Sequence, residues 1–405
     1  LNPRDLSYTL ATDFDKQARR QSEQSVMLAI VAPSITDLGK DLESVALALT
    51  DDGPVLLPTN ACIVEGASSS AKVACLFPGQ GSQYPGMAGG PAVYFEEFRG
   101  LLEIADVSSQ SVLGEKISRF VLPPSLWSDQ DQRSAADALK RTEIAQPALG
   151  VIEFAYFRLL QRLGLRSDMV AGHSYGEYPA LASAGVLAVE DLFDLSLSRG
   201  QAMANCKRDD GDSGTMAAVF ASADQLDSVL KQVSGLVLAN DNGPAQVVVS
   251  GDANAVDQAI ELLDQQGIRA VRLPVDGAFH SHLMKAAAKP LSDAIQLTEI
   301  SSPAIPVYAN YDGTPYPVDP AGIRSQLSEH LLQPVQFAAQ VERMYADGAR
   351  VFVEVGPGRS LTGLTGQILQ DRDHTAISVE GDTEGLQGFL LTVGKLAAHG
   401  FLDNI

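Results

Sequence analysis

The chain has 405 residues, of which 45% are hydrophobic and 20% charged, a balance that fits folded globular protein and excludes a disordered chain. At this length two or three domains are expected. With 50 acidic against 29 basic side chains the formal charge is −21, which argues against nucleic acid or anionic membrane held by a broad positive field. No apolar run approaches the ~18 residues of a membrane span, and no signal-peptide core follows Leu1. The three cysteines (Cys62, Cys75, Cys206) lack metal-ligand spacing, which together with the missing leader points to a reducing cytoplasm. The missing initial methionine suggests a segment of a longer polypeptide.

In chain order, residues 1–70 read as a separate small α/β unit. Residues 5–12 and 13–24 are expected to be helical and residues 25–32 to form a buried strand. A helix then opens at Pro33-Ser34, with Leu38, Leu42, Val45, Ala46 and Leu49 at a helical period, and Asp51-Asp52-Gly53-Pro54 stops it. The remainder is weakly patterned and ends in a linker-like run at residues 66–70. Residues 73–77 form a short apolar strand, followed by Pro78-Gly79-Gln80-Gly81-Ser82-Gln83, a loop whose amides can converge or which is a plain turn. Residues 92–122 are mostly helical, and a helix over 148–163 delivers the chain to residues 168–187.

There an apolar run ends in Gly172-His173-Ser174-Tyr175-Gly176 and helix formers follow, which is the strand–turn–helix setting of a nucleophile elbow. In that setting Ser174 stands at a helix N-terminus, where unpaired amides and the helix dipole favour developing negative charge. A glycine-rich turn with a solvated serine has the same pattern, so the rest of the chain must decide. Residues 192–204 are helical and carry Arg199. From 214 to 274 the order βαββαβ predicts an inserted ferredoxin-like subdomain, with Asn240-Asp241-Asn242-Gly243 turning between its middle strands. Strands are expected at 305–310, 351–355 and 376–379, and a helix at 386–398.

A serine nucleophile needs an adjacent base, and six histidines are available. His173 would project away from Ser174 and pack, while His374 and His399 lie in an unpatterned tail. His280 falls at the junction of the two subdomains, where α/β clefts form. His280-Ser281-His282 is half of a metal-ligand pattern, but no carboxylate or cysteine cluster accompanies it, so no metal is expected.

Four motifs, Phe77-Pro78-Gly79-Gln80-Gly81-Ser82-Gln83, Gly172-His173-Ser174-Tyr175-Gly176-Glu177, Gly277-Ala278-Phe279-His280-Ser281 and Val355-Gly356-Pro357-Gly358, occur in the order and approximate spacing of the malonyl-CoA:acyl carrier protein transacylases. The chain resembles the acyltransferase domain of a polyketide or polyunsaturated fatty acid synthase over about residues 73–370. That resemblance implies an α/β-hydrolase-like large subdomain (71–212 and 275–372) with the ferredoxin-like small subdomain (213–274) inserted. Residues 1–70, with Asp5-Leu6-Ser7-Tyr8-Thr9-Leu10-Ala11-Thr12, resemble the linker between ketosynthase and acyltransferase, and 373–405 the post-acyltransferase linker.

The same resemblance implies the site residues. Ser174 is the nucleophile and His280 its general base, while the backbone amides of Gln80 and Tyr175 form the oxyanion hole. Arg199 matches the arginine that binds the malonyl carboxylate, a task its guanidinium fork suits and a lysine does not. Gln146, Asn240 and Asn242 line the cleft, and the backbone carbonyl of His330 orients His280. Phe279 is retained beside the acyl α-carbon, where its ring excludes a methyl branch. Tyr175, the residue after the nucleophile, is expected to narrow the pocket, and Gly277 departs from the histidine of many malonyl-selective domains. No cofactor is implied, since malonyl-CoA and the phosphopantetheine of an acyl carrier protein are substrates. An adjacent ketosynthase domain is implied as a neighbour, and Lys285 and Lys289 are candidates for carrier docking by proximity to His280.

Two other functions use the same residues. A serine hydrolase or thioesterase needs the elbow and the histidine but has no need of Arg199. A non-catalytic scaffold segment suits residues 1–70 alone, and Ser174, His280 and Arg199 argue against it for the whole chain.

Overall fold

The computed structural model describes residues 26–50, 57–65, 71–125, 127–206, 213–275, 277–381 and 385–402. The helices expected over 5–24, the stop at 51–54 and the linker at 66–70 lie outside them. Near the start of the chain, β1 (Val26–Ile30) and β2 (Ala61–Glu65) pair antiparallel beside helix Ile35–Thr50. The weakly patterned stretch after residue 54 therefore contains a strand, because Val64 packs with Met27 and Ala398 in a small apolar cluster of its own.

The large sheet is built from β3 (Lys72–Phe77), β4 (Met169–Gly172), β9 (Val307–Tyr308), β11 (Ala349–Glu354) and β12 (Thr375–Ser378). All pairs are parallel, in the order β12-β11-β3-β4-β9. Such strands are covered on both faces and read as continuous apolar runs, which is why β3 and β4 are buried almost throughout. Helix Thr142–Arg162 is buried along most of its length and packs on helix Val189–Ala204. It starts six residues before the expected Ala148 and passes through Pro147, because its first turns are buried against the elbow and the tertiary contacts outweigh the missing amide.

The inserted unit is β5 (Thr215–Val219), β6 (Val237–Asp241), β7 (Val247–Gly251) and β8 (Ala270–Arg272), with helices Ala223–Gln232 and Ala253–Gln265. Its strand order β6-β7-β5-β8 is antiparallel throughout, as the ferredoxin-like expectation requires. Val219, Leu226, Val249, Val256 and Leu263 give it a separate core. A short fifth strand, β10 (Val335–Gln336), joins parallel to β6 and ties this sheet to the chain that follows helix Pro320–Glu329.

The C-terminal stretch, expected to be a linker from residue 373, is integrated with what precedes it. Its strand β12 is an edge of the large sheet, and helix Gly385–Ala398 packs on β1 and β2. Among the described residues no helix is long and apolar enough to cross a membrane, and no group of three or more histidine, cysteine, aspartate or glutamate side chains is placed to hold a metal ion.

Candidate active site

β3 and β4 end side by side, with Phe77 opposite Gly172, so the loops that follow them leave the sheet together at its carboxyl edge. This is where open α/β sheets form clefts. A Cβ on Gly172 would overlap the Gly176 and Glu177 backbones, and one on Gly176 would overlap the Phe77 carbonyl. The flanking glycines of the elbow are thus required by close backbone approach. Ser174 itself has φ 52° and His280 has φ 56°. Left-handed backbone at a non-glycine residue costs about 1–3 kcal/mol and persists only where surrounding contacts over-determine it.

Ser174 Oγ lies 2.7 Å from His280 Nε2, and His280 Nδ1 lies 2.8 Å from the Gln333 carbonyl. A carbonyl only accepts, so Nδ1 carries the proton and Nε2 is free to accept the serine hydroxyl proton. The carbonyl that holds the ring is therefore chiefly that of Gln333, not that of His330 as expected. Gln333 lies two residues before β10, whose pairing with β6 anchors this stretch, while the His330 carbonyl contributes more weakly. The His330 side chain is buried, meets the His280 ring edge-to-face at 5.6 Å and lies 3.5 Å from Glu177 Oε2. Burial, followed by the nearby Arg199 charge, depresses His280 to about 3, so it is neutral and competent as a base at pH 7.

Arg199 is 1% exposed, and its Nε and Nη2 have no hydrogen-bond partner among the described residues. Its guanidinium lies 5.6 Å from the Tyr178 ring centroid and 5.9 Å from that of Tyr175. Position 199 is set by the next residue. Gly200 meets the backbone of Thr142 and Glu143 so closely that a Cβ would lie 2.7 Å from Glu143 Cα, which draws the two helices together.

A cavity of about 110 Å³ brings together Ser174, His280, Arg199, Phe279, Asn240 and Gln80. Met203, Met216, Val248, Leu273 and Val275 complete its apolar wall. Gln80 lines the cavity, and Tyr175 follows Ser174 in the short 3₁₀ turn that leads into helix Glu177–Ser183. Three sequence expectations are placed differently. Gln146 is fully buried one layer behind, with Nε2 3.3 Å from both Gln80 Oε1 and Met203 Sδ. Asn242 is also behind the wall, where its Oδ1 pairs with His173 Nε2 at 2.7 Å. His173 itself lines the cavity. The Tyr175 ring does not narrow the pocket. It turns into the core, stacks on Tyr178 and bonds Ser196 Oγ at 2.6 Å, in space that a side chain at Gly150 would fill.

Gly277 also has a local reason, since a Cβ there would overlap the Phe279 ring. Lys289 is paired with Asp293 at 2.9 Å, whereas Lys285 is exposed. Sequence reading missed Asn310, whose side chain accepts the Ser174 amide at 2.8 Å. The sequence pattern marks that residue only as the end of a strand. A larger groove of about 940 Å³, lined by residues such as Leu101, Ile104, Phe154 and Arg158, lies away from these groups and carries none of their chemistry.

Residues 75–398 match the acyl transferase domain family. The chain belongs to that family. This acyltransferase is 34% identical to the malonyl CoA-acyl carrier protein transacylase of Bacillus subtilis over 76% of its own length and 94% of that protein. It is 30% identical to a polyunsaturated fatty acid synthase polypeptide from Thraustochytrium, again over 76% of its length, but spans only 11% of that polypeptide. Among solved structures, the acyltransferase domain from the second module of the salinomycin polyketide synthase superposes with a TM-score of 0.81 at 29% identity, covering 95% of this chain and 85% of that one.

Proposed function

We propose that the protein moves a malonyl unit from malonyl-CoA to the phosphopantetheine thiol of an acyl carrier protein by a ping-pong route through Ser174, in polyketide or fatty acid biosynthesis. The observation that carries this reading is a buried arginine with two unpaired nitrogens lining the same small cavity as a serine–histidine pair at 2.7 Å. The cavity is smaller than the ~300–1,000 Å³ of a drug-sized site, which suits a short acyl group with its pantetheine arm outside.

The malonyl carboxylate pairs with Arg199. His280 Nε2 takes the Ser174 proton as Oγ attacks the thioester carbonyl, and the oxyanion is held by the Gln80 and Tyr175 amides at about 3 kcal/mol per donor. Collapse breaks the C–S bond, and the departing thiolate takes the proton from His280. The carrier thiol then gives its proton to His280 and attacks the malonyl ester, and Ser174 leaves with that proton. Phe279 beside the reacting centre favours malonyl over methylmalonyl. Gln146, Asn240 and Asn242 support the cavity walls. An adjacent ketosynthase domain and a cytoplasmic setting belong to the same reading.

Intact-protein mass after brief incubation with malonyl-CoA, methylmalonyl-CoA or acetyl-CoA tests it beside Ser174→Ala. A malonyl adduct absent from the variant is expected. Rapid CoA release without an adduct would point to a hydrolase, and neither adduct nor release would remove the catalytic reading.

A further inference from the structure

Behind Ser174 lies a buried polar clip that the transfer steps do not use. Glu177 begins helix Glu177–Ser183 and Asn310 lies two residues past the end of β9, and each is 1% exposed. Asn310 Oδ1 accepts the Ser174 amide at 2.8 Å. Asn310 Nδ2 donates to the Gly172 carbonyl at 2.9 Å and to the Glu177 carboxylate. The Asn310 amide donates to Glu177 Oε2 at 2.8 Å, and the Tyr316 hydroxyl donates to Oε1. The Gln336 amide closes the set on the Asn310 carbonyl at 2.8 Å.

These partners leave the Asn310 side chain one orientation. Two acceptors face its NH₂ group and one donor faces its oxygen, so a flipped amide would lose every bond. The clip joins the end of the elbow strand, the nucleophile and the start of the elbow helix through one side chain. Ser174 has the left-handed φ of 52° that non-glycine residues avoid. Relaxing that angle would break the amide bond to Asn310 and swing Oγ away from His280 Nε2. The same bond takes the Ser174 amide out of the set of donors facing the reacting oxygen.

We propose that Asn310, oriented by Glu177, is a positioning residue that holds Ser174 in its reactive backbone conformation. This rests on Ser174 being the nucleophile, so the test must separate the two ideas. Asn310→Ala and Asn310→Asp are compared with wild type and Ser174→Ala in three measurements. These are the single-turnover rate of acylation by malonyl-CoA, the apparent Kd for malonyl-CoA, and the rate of Ser174 labelling by a fluorophosphonate probe that carries no carboxylate. Rates are expressed per folded molecule, from circular dichroism and thermal melting.

For Asn310→Ala, acylation and probe labelling are expected to fall together by about 10- to 100-fold, the scale set by misplacing a reacting atom by about 1 Å. The apparent Kd should stay within about twofold, since Arg199 is untouched. Asn310→Asp keeps an acceptor for the Ser174 amide but turns a carboxyl oxygen toward Glu177 and the Gly172 carbonyl, so it too should lose acylation and labelling together. It is nearly isosteric and carries the test by the same criteria if the alanine variant does not fold. Rates within about twofold of wild type, with or without a lowered melting temperature, would overturn the proposal. So would a weakened Kd at an unchanged rate constant. A wild-type protein that neither acylates nor labels at Ser174 would instead refute the nucleophile on which the proposal stands.

Discussion

Arg199→Ala offers a direct test of the carboxylate clamp. Arg199 is 1% exposed, lines the cavity beside Ser174 and has Nε and Nη2 unpaired among the described residues. A malonyl carboxylate bound there would make a buried, charge-assisted, two-pronged contact. Removing one partner of a buried ion pair costs about 3–5 kcal/mol, because the other charge remains in a poor solvent. At 1.36 kcal/mol per decade this is a loss of about 150- to 5,000-fold in kcat/KM for malonyl-CoA. Acetyl-CoA has no carboxylate, so its rate should hold or rise as the cation beside His280 disappears. The assay is rapid-quench formation of the acyl-enzyme with each thioester, and the quantity to follow is the malonyl-to-acetyl ratio. Arg199→Lys should fall between wild type and alanine, retaining charge without the planar fork. A malonyl loss of less than about 10-fold, or an equal loss for acetyl-CoA, would refute the clamp.

Further outcomes follow from the same geometry. Because burial and Arg199 depress His280 from 6.5 to about 3, its neutral form is lost only as pH falls through that low value. Probe labelling of Ser174 should therefore be flat from about pH 5 to 8, and an acid limb near the ordinary histidine value would refute the assignment. Phe279→Ala should raise the methylmalonyl-to-malonyl adduct ratio by about 10-fold or more, the usual worth of one methyl group against a wall, and an unchanged ratio would clear Phe279 of selectivity. Lys285→Glu should raise the KM for carrier protein and leave that for malonyl-CoA unchanged. Equal effects on both would remove the docking role.

How much of this was legible in the sequence depended on whether the signal was local. The ferredoxin-like unit could be read strand by strand because each strand alternates with a helix or a tight turn, and its core is its own. The short β10 could not, since two residues make a strand only by pairing with β6, some 95 residues earlier in the chain (Val335 with Asn240). Pro147 misled for a related reason: proline is a sound local stop, but here burial of the helix outweighs it. Ser174 was visible because its flanking glycines are required by close backbone approach, and His280 because it falls at the junction of the two subdomains. Gln333 was not, because it acts through a carbonyl that any residue could supply. Tyr175 shows the converse error. Its size suggested a narrowed pocket, but Gly150, 25 residues upstream, opens the core that receives its ring.

The most informative relation in the site joins two residues that the sequence presented separately. After burial, the Arg199 cation is the next cause of His280's weak basicity. Nothing of opposite charge is hydrogen-bonded to His280 to offset it, since Nδ1 meets a neutral carbonyl. A carboxylate placed on Arg199 cancels that cation inside the cavity where His280 must become an imidazolium. If Arg199 is the proposed clamp, it would act on the chemical step as well as on binding, because the charge it neutralises is one that opposes proton transfer. A thioester without a carboxylate would leave the Arg199 cation acting on His280, offset only in part by Glu177. On that reading, selectivity against acetyl groups would arise partly in the acylation rate constant, which the malonyl-to-acetyl ratio of single-turnover rates measures.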